Sequence, residues 1–469
     1  MHLVDYLIIF SYLAVVLGIG VYFLRRQDSS DEYFVGNRRM GAGHIGFSVV
    51  ATDVGGGFSI GLGGLGFAMG LSGSWLLFTG LVGAWVTAVI MIPRIKRLGD
   101  RHRLFTFPDF LQKRFSGDVR LVAAVVSGIG YGGFVGSQLL AGAKLCSAAF
   151  QISVPAAVLI MAVIVIIYTS FGGLEAVVYT DTIQWFVLLI GLLFFALPFG
   201  YIEVGGMGAL KESLPAEFFT LTNITWSRFL TWMFTIIPIW FIGTTLYQRI
   251  YATRDVRTAK RAWYFAGLLE WPLMAFLGVI LGMFARILFP EAEPEMGLPL
   301  LIRHVLPVGI VGIVLAAYFS AIMSTADSCL LASVGNFVND IYQKYVRPDA
   351  SDRQVLRMGR ILTVLVGALS VGMALLVPTV LESILLAYSF MVSGLFMPTL
   401  GGLFWRRVSS RAALVSMVVG GGTALLLEVF SSLNPFEDPI LIALPLSGVA
   451  LIAGTLVWPE RGLETNHGG

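Results

Sequence analysis

Long apolar runs, bounded by charged residues or proline, recur along the whole chain. Thirteen of these runs approach the roughly 20 residues that a helix needs to cross the hydrocarbon core of a bilayer. The predicted spans are 4–24, 42–70, 73–92, 121–150, 155–171, 183–201, 229–247, 263–290, 309–342, 361–377, 384–405, 412–430 and 440–458. The pattern predicts an all-α polytopic membrane protein with about 13 transmembrane helices.

Composition supports this class and excludes others. Of the 469 residues, 57% are hydrophobic and 13% are charged, whereas soluble proteins carry about 25% charged residues. So few charges cannot cover the surfaces of soluble domains, which argues against a cytosolic enzyme. The net charge of +3 is too small to indicate a nucleic-acid partner. Cys146 and Cys329 both fall inside apolar runs, so we expect small buried side chains and no disulfide framework.

Basic residues predict the orientation. Most of the 31 lysines and arginines lie in loops that follow odd-numbered spans, and positively charged loops stay on the cytoplasmic side. We therefore expect the N-terminus outside, the C-terminus in the cytoplasm and a multi-pass location in the plasma (inner) membrane. The first run has no basic region before it and no small-residue cleavage site, so it is predicted to be a span and not a removed signal peptide.

Two predicted spans contain helix breakers. The second span holds the glycine triple 55–57 followed by further glycines, and the seventh holds Pro238 and Gly243. Because the two spans are five apart and five is odd, two five-helix repeats would enter the membrane from opposite sides, as in secondary transporters. Broken helices free backbone carbonyls that can coordinate a cation. Close packing through small residues is the alternative for the later glycines, and a simple kink is the alternative for the seventh span.

Acidic residues inside spans are the next indication of function. Asp53, Asp181 and Asp327 lie at or near membrane depth, where each costs roughly 2.5 to 3.5 kcal/mol on insertion scales. Such residues need a cation or a hydrogen-bond donor, and a structural bond between helices remains the alternative. Glu270 and Lys144 are also in or near spans, and for these we expect rim positions with the charged end reaching water.

The ninth span carries a polar stripe. At 100° per residue, Ala321, Ser324, Thr325 and Ser328 share one helix face, with Asp327 at its edge. Hydroxyl and carbonyl oxygens are hard ligands that suit a small hard cation and not a thiophilic metal. The stripe could equally hold helices together through hydrogen bonds, so the residues alone leave both interpretations open.

Several motifs taken together resemble those of the sodium:solute symporters, which include sodium/proline, sodium/sugar and choline transporters. They are DEYFVGNR at 31–38, ATDVGGG at 51–57, YTSFGG at 168–173, YTDTIQ at 179–184 and MSTADS at 323–328. The resemblance covers essentially the whole chain. It implies a LeuT-type 5+5 inverted repeat of spans 2–6 and 7–11, with spans 1, 12 and 13 peripheral. The corresponding segments are 1–41, 42–201, 202–405 and 406–469.

The resemblance also implies a sodium site between spans 2 and 9. At the matching positions, the ligands would be the carbonyls of Ala51, Val54 and Ala321 and the hydroxyls of Ser324 and Thr325.

Some members of the family have a second sodium site nearer the cytoplasm. Here Asp181, Ser324, Asp327 and Ser328 occupy its positions. Asp327 replaces the serine of sialic-acid-type members, although choline-type members share the Ala-Asp-Ser pattern.

The solute is less defined by the resemblance. The ninth-span motif is most similar to the choline transporters, whose cation sits in an aromatic cage. However, Asp53 and the region of Gly243 stand where that group has tryptophans, which does not support a quaternary ammonium. Candidate solute contacts by position are Asp53, Gly56, Phe58, Tyr131, Gln138, Trp240, Gly243 and Tyr388.

These observations predict a sodium-coupled symporter of a small polar organic solute, such as an amino acid, an organic cation or zwitterion, a carboxylate or a sugar. It would work by alternating access, with Na⁺ as the coupling ion. The alternative is a proton-coupled transporter of the same fold that uses Asp53, Asp181 or Asp327. No HExxH or paired Asp-rich motif in the sequence indicates an integral-membrane enzyme.

Overall fold

The protein is described by a computed structural model that covers residues 2–24, 38–169 and 174–460. The described chain consists of helices joined by short loops. In the first part they are α1 Leu3–Leu24, α2 Ala42–Asp53, α3 Gly56–Met69, α4 Trp75–Ile90, α5 Ile92–His102, α6 Phe107–Arg114, α7 Gly117–Phe150, α8 Val154–Thr169, α9 Leu174–Ile190, α10 Leu197–Glu203 and α11 Gly206–Ser213. Parts of two motifs, 31–37 and 170–173, lie outside the described residues.

The second part of the chain is built in the same way. Its helices are α12 Trp226–Ile242, α13 Thr244–Ala252, α14 Val256–Leu268, α15 Ala275–Leu288, α16 Pro294–Val305, α17 Ile310–Gly335, α18 Asp352–Leu376, α19 Val380–Phe404, α20 Ser410–Val429 and α21 Ile440–Val457. Wider π-helical turns occupy Gly191–Ala196, Leu269–Met274 and Asn336–Val346. Single 3₁₀ turns occupy Gly70–Ser74, Ala216–Phe219 and Ser431–Leu433.

Helix is present in each of the thirteen regions predicted as spans. Within the described residues, nine helical stretches are long and apolar enough to cross a membrane, and the bent pair α12–α13 makes ten. The all-helical membrane class is therefore confirmed, while thirteen crossings remain a prediction.

The two predicted helix breaks are both present. α2 ends at Asp53, where the Val54 amide still donates to Val50 O (2.7 Å). α3 restarts with the Ser59 amide donating to Gly55 O (3.1 Å), so the Val54 carbonyl lies between the two hydrogen-bond ladders. In the seventh predicted span, Gly243 is extended (φ −64°, ψ 113°) and the chain bends by 44° between α12 and α13.

The later glycines of the second span serve close packing. α3 lies directly against α15 and α16, and a Cβ on Gly66 would overlap the backbone of Val279. A Cβ on Gly63 or Gly64 would lie 2.8 Å from Leu298 or Glu295 of α16. Packing through small residues, the alternative interpretation of these glycines, is therefore correct, and only the first glycines belong to the break.

A buried centre surrounds the first break. α17 is buried over nearly its whole length and packs on α7, which also contacts α19. α2 and α3 both contact α17, and α13 reaches α17 and α2. The broken segments thus meet the polar stripe of α17 in the interior of the helix bundle.

Candidate functional site

Thr325 joins the break in the first broken helix to α17. Its Oγ1 lies 3.1 Å from Ala51 O at the end of α2 and 3.1 Å from Ala321 O one turn earlier in α17. Ala51, Ala321 and Thr325 are all at most 5% exposed. Three of the five predicted sodium ligands therefore place their oxygen atoms around one point.

The remaining ligands and one glycine fit the same arrangement. The Val54 carbonyl lies between the hydrogen bonds of α2 and those of α3, as described above. Ser324, the residue before Thr325 in α17, is buried. Gly55 makes the approach possible, because a Cβ at this position would overlap Thr325 Oγ1 and lie 2.7 Å from Ala51 O. A set made only of carbonyl and hydroxyl oxygens suits a hard cation such as Na⁺.

The second candidate cation site is less complete. Thr169 donates a hydrogen bond to Asp327 Oδ1, which ties α8 to α17. Ser328 Oγ lies 3.4 Å from Arg249 Nη2. Asp181 is part of α9, but its side chain lies outside the part of the chain that the structure describes.

Arg249 is a functional candidate that the sequence interpretation missed. It counted as one of the positive charges of a cytoplasmic loop, whereas the structure buries it completely. Its guanidinium donates to Ser48 Oγ (3.0 Å), Thr52 Oγ1 (2.5 Å) and Thr245 O (3.2 Å). These bonds fasten α13 to α2, so the two broken helices are held together next to the candidate sodium site.

A small cavity of about 20 Å³ lies beside the first break. Four of the eight predicted solute contacts line it, namely Asp53, Tyr131, Gly243 and Tyr388. The other lining residues are Thr52, Phe134, Ile239, Thr245, Leu246 and Cys329. Its walls thus come from both broken helices and from α7, α17 and α19.

Aromatic rings form one wall of the cavity. Phe134 and Tyr388 stack with ring centroids 5.0 Å apart and planes at 10°, and the Phe58 ring is 6.3 Å from Tyr388. The Tyr131 hydroxyl accepts a hydrogen bond from the Thr245 amide (3.2 Å) and lies 3.1 Å from its Oγ1. Phe58 therefore supports the wall from behind Tyr388.

Phe58, Gln138 and Trp240 are not on the cavity surface. Gly56 is the first residue of α3, and its surroundings lie outside what the structure describes. The Gln138 amide lies against Gly57 and donates to Ser137 Oγ (3.3 Å). Trp240 is fully buried away from the cavity, packed against Gly83 and edge-to-face with Trp263 at 6.4 Å.

Glu270 has a central position and not the rim position that the sequence suggested. It lies at the interruption between α14 and α15 and is fully buried. Its carboxyl group lies beside that of Asp53, and within the described part of the chain neither of its oxygens has a hydrogen-bond partner. Because the apolar run around Glu270 gives no indication of what faces it, the sequence could not reveal this pairing.

Lys144 is likewise buried and not at the rim. Its Nζ pairs with Glu295 Oε2 (2.6 Å) and with Glu293. Glu295 also accepts hydrogen bonds from the amides of Val380 (2.7 Å) and Leu381 (2.9 Å), the first residues of α19. An anion at a helix N-terminus is favourable, so this cluster fastens α7, α16 and α19 to one another.

Comparison with known proteins agrees with this architecture. A family model described as sodium:solute symporter family matches residues 33–420. The chain is 29% identical to the sodium/pantothenate symporter of Escherichia coli, over 95% of this chain and 94% of that protein. It is 26% identical to the osmoregulated proline transporter OpuE of Bacillus subtilis, over 88% and 87%. A solved structure of a Na⁺-coupled sialic acid symporter in a substrate-bound outward-open state matches with a TM-score of 0.83 at 23% identity, covering 98% of this chain and 100% of that one.

The chain belongs to the sodium:solute symporter family. It has the LeuT-type fold, and it is a sodium-coupled symporter and not an enzyme. Na⁺ is the coupling ion, and the protein is a multi-pass membrane transporter. The comparisons give no support to the proton-coupled alternative.

Proposed function

We propose that the protein takes up a small polar organic solute together with sodium across the plasma membrane, with the N-terminus outside and the C-terminus in the cytoplasm. The distribution of basic loops supports this orientation. In this proposal 42–201 and 202–405 are the two five-helix repeats, and 1–41 and 406–469 are peripheral.

The contact of Thr325 with the break between α2 and α3 carries the proposal. Sodium would be held by the carbonyls of Ala51, Val54 and Ala321 and by the hydroxyls of Ser324 and Thr325. A bound ion would fix the broken helix against α17 and thereby shape the adjacent cavity for the solute. Loss of the ion to the cytoplasm would release both.

The cavity is the proposed solute site. In this conformation it encloses about 20 Å³, which is room for about one water molecule, so a solute enters when alternating access moves its walls apart. The relatives are named for proline, pantothenate and sialic acid, so solutes of these types are the first to test.

The sodium gradient can drive such uptake. A tenfold gradient supplies about 1.4 kcal/mol, and a membrane potential of about 100 mV adds about 2.3 kcal/mol per charge. The sum of about 3.7 kcal/mol per ion sustains a solute ratio of roughly 500-fold.

Uptake in proteoliposomes tests the proposal. Purified protein is reconstituted, and uptake of radiolabelled proline, pantothenate, sialic acid, glucose and myo-inositol is measured under an inward sodium gradient. We expect accumulation of at least one solute that disappears when potassium replaces sodium. Uptake that proceeds equally well without a sodium gradient, or that follows a pH gradient alone, would overturn the proposal.

A further inference from the structure

Asp53 presents a carboxyl group to the solute cavity without a basic partner. It lines the cavity and is 8% exposed. Among the described residues, neither Asp53 nor Glu270 forms an ion pair with a lysine or arginine, and the carboxyl group of Glu270 lies next to that of Asp53. A ligand that enters the cavity therefore meets an acid whose charge the protein leaves uncompensated.

Glu270 places a second carboxyl group behind the first. It is completely buried, and no donor from the described residues reaches either of its oxygens. Gly80 of α4 leaves room for it, because a Cβ there would overlap Glu270 Oε2. Burial of a carboxylate without a donor or cation costs several kcal/mol, and two adjacent carboxyl groups do not both stay ionised without a compensating cation.

The oxygens proposed for the sodium site do not include those of either acid. The oxygens around that point come from the carbonyls of Ala51 and Ala321 and the hydroxyl of Thr325. The basic side chain of this region, Arg249, donates to the side chains of Ser48 and Thr52 and does not line the cavity. The cavity thus offers a solute the carboxyl group of Asp53, with that of Glu270 behind it, and no basic side chain among its described lining residues.

The aromatic wall of the cavity also favours a positively charged group. The rings of Phe134 and Tyr388 line the cavity beside Asp53, and ring faces attract cations. Negative groups and ring faces together favour a positively charged group on the solute.

We propose that the cavity takes a solute that carries a protonated primary or secondary amine, which donates hydrogen bonds to Asp53 while Glu270 keeps that carboxyl group in position. The inference rests on the proposed function, since it concerns the same cavity. A quaternary ammonium has no N–H to donate, and a sugar or a carboxylate without an amine would leave the acid pair uncompensated.

A thermal-unfolding experiment on the purified full-length protein tests this substrate class. The melting temperature is measured in sodium and in potassium with proline, pyrrolidine, alanine and butylamine. Each is paired with a compound in which carbon replaces the amine, such as cyclopentanecarboxylate for proline, and N,N-dimethylproline tests the quaternary case. We expect stabilisation only by compounds with an N–H, and only in sodium.

The outcomes separate the two proposals. If sodium stabilises the protein but no amine adds to its effect, or if the carbon analogues, myo-inositol or lactate are equally effective, the amine inference is wrong while sodium binding stands. If sodium itself stabilises no more than potassium, the proposed function fails.

Glu270→Gln tests the positioning residue. We expect at least a tenfold loss of apparent affinity for the effective amine, with the stabilisation by sodium retained. Glu428→Gln is the matched control, because Glu428 is an acid of α20 that does not line the cavity. A purely structural role of Glu270 would lower the melting temperature of the free protein and leave amine affinity equal to that of the control, which would contradict the inference.

Discussion

Replacement of Thr325 by valine isolates one oxygen of the candidate sodium site. Valine keeps the size and β-branching of threonine, so the packing of α17 is preserved and only the hydroxyl is lost. That hydroxyl is the atom that lies 3.1 Å from both Ala51 O and Ala321 O. The variant therefore removes a direct link between the broken helix and α17 together with one of the five proposed ligands.

The magnitude follows from this hydroxyl group. It carries one hydrogen, so its two contacts share a single donated bond, and a buried polar contact of this kind contributes about 0.5 to 1.5 kcal/mol net. At about 1.4 kcal/mol per factor of ten, we expect sodium to bind roughly 2- to 12-fold more weakly to Thr325→Val. The Ala51 carbonyl keeps its place at the end of α2, so the effect should appear in sodium affinity more than in folding.

The assay is a sodium titration of the melting temperature, repeated as the sodium dependence of uptake. Thr399→Val is the matched control, since Thr399 is also buried in a membrane helix and donates to the carbonyl four residues earlier, Leu395 O (2.7 Å). Within the described ranges it has no hydrogen bond to another helix. A sodium affinity of Thr325→Val that equals that of Thr399→Val would refute the assignment of the sodium site.

Two further substitutions test the close approach and the buried ion pair. Gly55→Ala should weaken sodium binding at least tenfold, because its Cβ would displace the Thr325 hydroxyl that it overlaps. Gly359→Ala is the control, since a Cβ there meets nothing within 4 Å and should leave the sodium titration unchanged. Equal sodium titrations of the two variants would contradict the steric argument. Lys144→Met should lower the free energy of unfolding by about 3 kcal/mol, the lower end for a broken buried pair, because Glu295 keeps two backbone donors. The exposed Lys211→Met is its control, with a change within about 0.5 kcal/mol, and equal losses in denaturant unfolding would contradict the role of the pair.

Features that depend on local sequence could be predicted. Clustered glycines and proline weaken helices, so both breaks, near Gly55 and at Gly243, were visible in the chain. The common face of Ala321 and Thr325 follows from helical periodicity alone. The resemblance to the family added which helix faces that stripe, and the structure then brings Ala51 to Thr325.

Features that depend on two distant segments could not be predicted. Hydropathy gives the depth of Glu270 and Lys144 but not the residues that face them, so both were expected at the rim. Arg249 follows an apolar run and resembles a loop cation until α13 folds back onto α2. Trp240 shares a broken span with Gly243, yet its side chain is directed toward Gly83 on the far side.

Cys329 gives the native chain a chemical reporter of its own. Its thiol lines the solute cavity and is 1% exposed, and Cys146, the other cysteine of the sequence, is buried in α7 and does not line the cavity. A thiol reagent reaches Cys329 only in molecules whose cavity has opened, and a bound solute shields it. The rate of alkylation therefore measures how often the transporter exposes its centre, and this can be followed in the unmodified protein without an engineered label.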